Sequence, residues 1–118
     1  MMTFDDAKRD FVEAITKRNH QFADTLAFVS TWYDFTPTAF SNGDVHNNSQ
    51  ENQGSAKVIA LATELGLSRQ QLLYCFGEHY REVLATPHGN NHFNLRRLQR
   101  DGHTNVCFDK FPLKRKKS

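Results

Sequence analysis

The chain has 118 residues, of which 38% are hydrophobic and 24% charged, a size and polarity that suit one globular domain with one core. No apolar run approaches the ~20 residues of a membrane-spanning helix. The net charge of +2 is concentrated in Lys114, Arg115, Lys116 and Lys117; the rest holds 11 of the 15 basic residues against 13 acidic ones, a net of −2. These figures exclude a multidomain enzyme, a membrane protein and a disulfide scaffold, and a mildly acidic body offers no nucleic-acid-binding face.

The elements follow in chain order. A first helix is expected from about Thr3 to Lys17, with Thr3 as N-cap, Asp5 and Asp6 suiting the helix dipole, and Phe4, Ala7, Phe11, Ala14 and Ile15 on one stripe. A second runs from about Gln21 to Tyr33. Phe22, Leu26, Val29 and Tyr33 form its buried face, and Phe28 and Trp32 add a second ridge. That double ridge predicts a central helix with Trp32 buried against the third and fourth helices. Pro37 stops any continuation.

A long polar loop follows from Asp34 to Gly54, with Asn42-Gly43 as a tight-turn signal. Loops of this length in small domains are often functional. A third helix is expected from about Ser55 to Glu64, capped at its start by Ser55 or Asn52, with Gly66 as left-handed C-cap. The fourth begins at Ser68, where Ser68 and Gln71 form a capping box, and carries its apolar face through Leu84. Gly77 inside it signals close approach of another element.

Pro87 to Asn90 reads as a turn. The fifth helix runs from about Asn91, as N-cap, to Asp101, with Gly102 as stop. Asn105 to Phe108 reads as a short strand pairing with Thr38–Ser41. The fold expected is therefore mainly α: a compact single-domain bundle of about five helices over residues 1–113, with a long polar loop and room for one short two-stranded β element. Residues 114–118 are expected to form a basic disordered tail.

The two cysteines, Cys75 and Cys107, form no Cys-x-x-Cys. With no apolar leader at the start, both are expected as reduced thiols in a cytoplasm. His88 and His92 have the i, i+4 spacing of zinc ligands, but Pro87 and Gly89 place them in a turn, so no metal and no cofactor are read from the sequence. His92-x-Asn94-x-Arg96 sets an imidazole, an amide and a guanidinium within about one turn. Arg96 is expected to be partly buried and to clamp a carboxylate, with Asp34, Glu51, Glu78 and Glu82 as targets, while Arg97 and Arg100 point outward. Where the Asn-rich loop meets the fifth helix, Tyr33, Asp34, Asn42, Asn47, Asn52, Ser55, Lys57, Glu78, His92, Asn94 and Arg96 are the candidate ligand-binding residues. No catalytic residue is singled out. A structural tie between loop and helix is the competing account of the same residues.

Several separated blocks resemble the HopJ family of type III effector proteins. They are Tyr33-Asp34-Phe35-Thr36-Pro37-Thr38-Ala39-Phe40 with Asn42-Gly43; Asn47 and Asn52-x-Gly54-Ser55-x-Lys57; Phe76-Gly77-Glu78-x-Tyr80-Arg81-x-Val83-Leu84; His92-x-Asn94-Leu95-Arg96; and Asp101-Gly102-His103 through Phe108. The resemblance spans about residues 4 to 113. The family usually has Cys in place of Ala56, Tyr in place of His79 and Trp in place of His103, and the missing thiol at Ala56 argues against cysteine chemistry there. The resemblance implies a bacterial protein acting as an effector, with an unknown protein or small-molecule partner. It also implies export by a type III system as the alternative to a cytoplasmic location, and no particular reaction. A small enzyme with its polar site between the Asn-rich loop and the fifth helix is the alternative function.

Overall fold

The structure, a computed structural model, describes residues 2–116. Its elements are α1 (Phe4–Ala14), α2 (Phe22–Trp32), β1 (Tyr33–Phe35), β2 (Phe40–Asn42), β3 (Val45–Asn47), α3 (Gln53–Leu65), α4 (Arg69–Tyr74), α5 (Glu78–Ala85), α6 (Phe93–Asp101), β4 (Val106–Phe108) and β5 (Leu113–Arg115). The strands form two small antiparallel sheets, one pairing β1 with β5 and one ordered β3-β2-β4. The architecture is mixed α/β and not the mainly α bundle expected. The discrepancy lies in the loop and the tail, whose three-residue strands are too short to show an alternating pattern.

Local signals set several helix ends as read. Thr3 and Asp6 form a capping box on α1, and Ser68 and Gln71 form one on α4. Gly66 closes α3 in the left-handed conformation, with Leu67 N–H donating to Ala62 O at 2.9 Å. α1 stops at Ala14, short of Lys17, where the Thr16 hydroxyl donates back to Glu13 O. The expected caps of α3 are different: Asn52 is the N-cap residue, but neither its side chain nor Ser55 bonds the helix start. His92, not Asn91, occupies the N-cap position of α6.

The central helix is α3 and not α2. Ala56, Val58, Ile59, Ala60, Leu61 and Ala62 are fully buried, as befits a helix whose middle turns are apolar nearly all round. Three alanines keep it thin enough for neighbours to pack all round. The Trp32 ring is half-buried, packs against the edge of the core and meets Phe4 of α1 edge-on at 5.5 Å.

The expected fourth helix is broken at Gly77, which adopts φ 56°, ψ −124° between α4 and α5. The start of α2 lies directly against it. The long loop is ordered as a β2–β3 hairpin with Gly43 at its turn (φ 60°), and β4 joins β2 through Phe40↔Phe108 and Asn42↔Val106. The strand expected at Asn105–Phe108 thus exists, pairing with residues 40–42.

The basic tail is not free through Arg115. β5 pairs Asp34 with Lys114 and Tyr33 with Arg115. The Arg115 guanidinium sits 3.5 Å from the Phe4 ring centroid, and Lys116 N–H donates to Trp32 O. Cation–π stacking and a backbone ladder anchor a stretch that has no apolar residue of its own. Lys117 and Ser118, the end of the expected tail, lie outside the described residues.

A buried polar chain ties α2 to the α4–α5 junction. His20 Nε2 lies 2.8 Å from Thr25 Oγ1, whose hydroxyl donates to Cys75 O at 2.7 Å. Since the Thr25 proton is already committed, Nε2 must carry the imidazole proton. Burial holds the His20 pKa below 6.5, with Asp24 opposing the shift, and burial moves His103 the same way. Unfolded chains take up these protons near pH 6.5 while the folded protein resists them. Stability present above that pH is therefore lost as pH falls from 6.5 toward the lower folded values. The melting temperature is expected to drop between pH 7.5 and pH 5, and less so in His20→Gln, whose amide keeps the bond to Thr25. Flat melting temperatures across that window would contradict this account. Cys75, fully buried with its thiol pushed up to about 12 by desolvation, is a core residue.

Candidate functional site

A cleft of about 510 Å³ opens between the β3–α3 segment and the start of α6. Asn47, Asn52 and Ser55 line one wall, His92 and Asn94 the other, and Phe22, Phe76 and Leu95 supply apolar surface. These walls are held together by amides. Asn94, 5% exposed, accepts from Asn42 Nδ2 (3.3 Å) and Asn47 Nδ2 (3.2 Å) at Oδ1, and donates to Asn47 Oδ1 (3.0 Å). Asn47 Oδ1 also accepts from Asn52 Nδ2 at 2.7 Å. Asn42 Nδ2 reaches the Asn94 backbone carbonyl as well, at 3.0 Å, which fixes the orientation of its amide; its Oδ1 is buried without a partner among the described residues.

The chain supports this network at three irregular points. Asn52 (φ 52°) turns out of β3 into α3 in the left-handed region, a conformation that Asn tolerates. His92 does the same at φ 53° before α6. The third is Gly43, where a Cβ would lie 2.7 Å from Arg97 Nε and Nη2. Arg97 bonds Asp44 in the hairpin turn and lies 3.3 Å from Asp101, closing the hairpin onto α6.

Of the eleven residues singled out in the sequence, Asn47, Asn52, Ser55, His92 and Asn94 line the cleft, and Asn42 lies behind it. The other five are placed elsewhere. Tyr33 is buried, its hydroxyl without a partner among the described residues and pushed up to about 12 by desolvation, with Glu64 adding to the rise. Asp34 faces solvent opposite Lys114. Lys57 Nζ lies over the Phe35 ring, 4.9 Å from its centroid, not at an anion site. Glu78 accepts from Phe22 N–H at 2.6 Å and so caps the start of α2. Desolvation raises the Glu78 carboxyl pKa, but the hydrogen bonds from the Phe22 and Glu78 N–H groups outweigh it and the net shift is downward.

Arg96 clamps no carboxylate. It donates to Thr86 O (2.7 Å), Thr86 Oγ1, Asn91 O (2.6 Å) and Asn91 Oδ1, fastening the turn between α5 and α6. The carboxylate-binding arginine is instead its neighbour Arg97, which was expected to point outward. The helix turn is 100° per residue, so a small error in the start of α6 exchanges their faces.

His79 and Glu82 on α5 are site residues that the sequence candidates left out, Glu82 entering only as a carboxylate target of Arg96. Their i, i+3 spacing was the available signal. The His92 ring meets this pair, not His88: its Nε2 lies 3.2 Å from Glu82 Oε2, and its centroid 5.1 Å from that of His79. The Glu82 carboxyl is held below its ordinary value, chiefly by the His92 hydrogen bond.

A protein-family model described as HopJ type III effector protein matches residues 8–113. No curated protein matches the chain. The chain is similar to a solved structure described as "Crystal structure of unknown function protein VPA0580", with a TM-score of 0.86 and 34% identity, over 98% of this chain and 95% of that one.

Proposed function

The chain belongs to the HopJ type III effector protein family, and on that premise we propose that it is a ligand-binding module whose site is the cleft between the β3–α3 segment and the start of α6. The observation that carries this reading is the convergence of Asn47, Asn52, Ser55, His92 and Asn94, from two distant segments, on one concavity. Concave sites with apolar walls and a few converging polar groups are the usual form of small-molecule sites. Glu51 is acidic, and among the described residues no Lys or Arg lines the cleft, which disfavours an anionic ligand. The ligand class is a small uncharged polar molecule with one flat apolar face, which Phe22 covers while Asn52 and Ser55 hydrogen-bond its edge. No helix among the described residues is long and apolar enough to cross a membrane.

Amide-resolved NMR titration of the metal-free protein with nucleosides, monosaccharides and amino-acid amides tests the reading. At least one probe is expected to shift Asn47, Asn52, Ser55 and Asn94 together, and Ser55→Leu, which fills the cleft, to abolish the shifts. Shifts confined to other surfaces, or none at millimolar probe, would defeat the assignment.

A further inference from the structure

At the rim of the cleft, His79 and Glu82 project from successive turns of α5, and His92 faces them from the turn before α6. One donor atom from each lies within 4.8 Å of the other two. An ion bound tetrahedrally at ~2.0–2.2 Å holds N and O donors about 3.4 Å apart. The Glu82–His92 pair is already there at 3.2 Å. The other two separations are at most 4.8 Å, so closing on an ion takes small side-chain adjustments only.

The surroundings are arranged for these three side chains. Asn91 Nδ2 donates to Glu82 Oε1 at 3.0 Å, which leaves Oε2 turned toward the imidazoles. Such outer hydrogen bonds orient carboxylate ligands. The His79 ring packs against Phe22, 4.8 Å between centroids, which limits its rotation. His92 holds a left-handed backbone conformation, uncommon for non-glycine residues though His is among those that adopt it more often, and in it the ring is directed at the other two donors. Among the described residues Glu82 has no Lys or Arg ion-pair partner.

We propose that His79, Glu82 and His92 form a binding site for a divalent first-row transition ion of the zinc class, held by two imidazoles and one carboxylate. Nitrogen donors select such an ion over Mg²⁺ and Ca²⁺, which prefer oxygen. Three protein donors leave a tetrahedral ion one exchangeable position, and the cleft adjoins it. The inference rests on the cleft reading for what that position faces, and not for the donors.

Tag-free full-length protein, stripped with chelator, is titrated with ZnCl₂ by calorimetry and with CoCl₂ by visible absorption. One equivalent of Zn²⁺ is expected to bind with a micromolar or tighter Kd, and Co²⁺ to give the absorption of an imidazole-ligated ion. His79→Phe keeps the packing on Phe22, His92→Asn keeps a residue that tolerates φ 53°, and Glu82→Gln keeps the bond from Asn91. Each is expected to weaken Zn²⁺ at least ~10-fold while its metal-free circular dichroism and melt match the parent. The exposed His88→Ala is expected to bind as the parent does. Absence of stoichiometric binding by the parent, or equal affinity in all three folded variants, would overturn the site. The NMR probe titrations, run without metal, decide the ligand reading separately.

Discussion

Gly77→Ala is expected to destabilise the protein by about 3–5 kcal/mol, a large fraction of the ~5–15 kcal/mol that holds a domain of this size. Two effects add. The backbone sits at φ 56°, ψ −124°, where a side chain is strained by about 1–3 kcal/mol. The new Cβ would also lie 2.6 Å from Phe22 N, 2.7 Å from Gln21 C and 2.9 Å from Gln21 Cα. These are main-chain atoms, which cannot rotate away, so the start of α2 must move off α5. Overpacking of this kind costs about 1–3 kcal/mol, and the Glu78–Phe22 hydrogen bond is strained as well. Gly66→Ala is the control. It too has positive φ, at 68°, but a Cβ there meets nothing within 4 Å, so it should lose only about 1 kcal/mol. Urea unfolding of the two variants checks the account, and equal losses would refute the close approach of α2.

Asn94→Ala is expected to cost about 3 kcal/mol. Asn94 joins β2 and β3 to α6, and its removal leaves the buried amides of Asn42 and Asn47 each short of a partner. Stranding a buried polar group costs about 1–3 kcal/mol. Asn47→Ala should cost a similar amount, and the double variant clearly less than the two losses added, because the same hydrogen bonds are broken in each. A double-mutant cycle by urea unfolding measures this; strict additivity would mean that the amides are held by something other than each other. The cycle also bears on ligand binding, since the same amides form the cleft's polar wall.

Helices and caps were legible where short-range physics decides them. The Thr3 N-cap, the Ser68 capping box, the Gly66 stop and the tight turn at Asn42-Gly43 depend on side chains within a few residues of the backbone they serve. Half of the site was legible for a similar reason. Asn residues are poor helix and strand formers, so a run of them in an otherwise apolar-patterned chain marks backbone that is held by side-chain amides. That marked Asn47 and Asn52, and the His92-x-Asn94-x-Arg96 spacing marked Asn94, though not that they meet through one another.

What the sequence by itself determined is where the chain is helical, most of the residues that turn inward, and the family to which the separated blocks point. Tertiary structure alone decided the rest. β1 pairs with β5 across most of the chain, and three-residue strands carry no periodicity that announces a partner so distant. Gly77 announced a close approach in sequence, but only the backbone of Gln21 and Phe22 made it a break between α4 and α5. Which of Arg96 and Arg97 meets a carboxylate depended on the exact entry of α6, set by His92 in a left-handed conformation that its neighbours impose. The same turn brings His92 to His79 and Glu82 and away from His88. Spacing along one helix predicts neighbours on that helix; the meeting of two helices is fixed by the packing of the core between them.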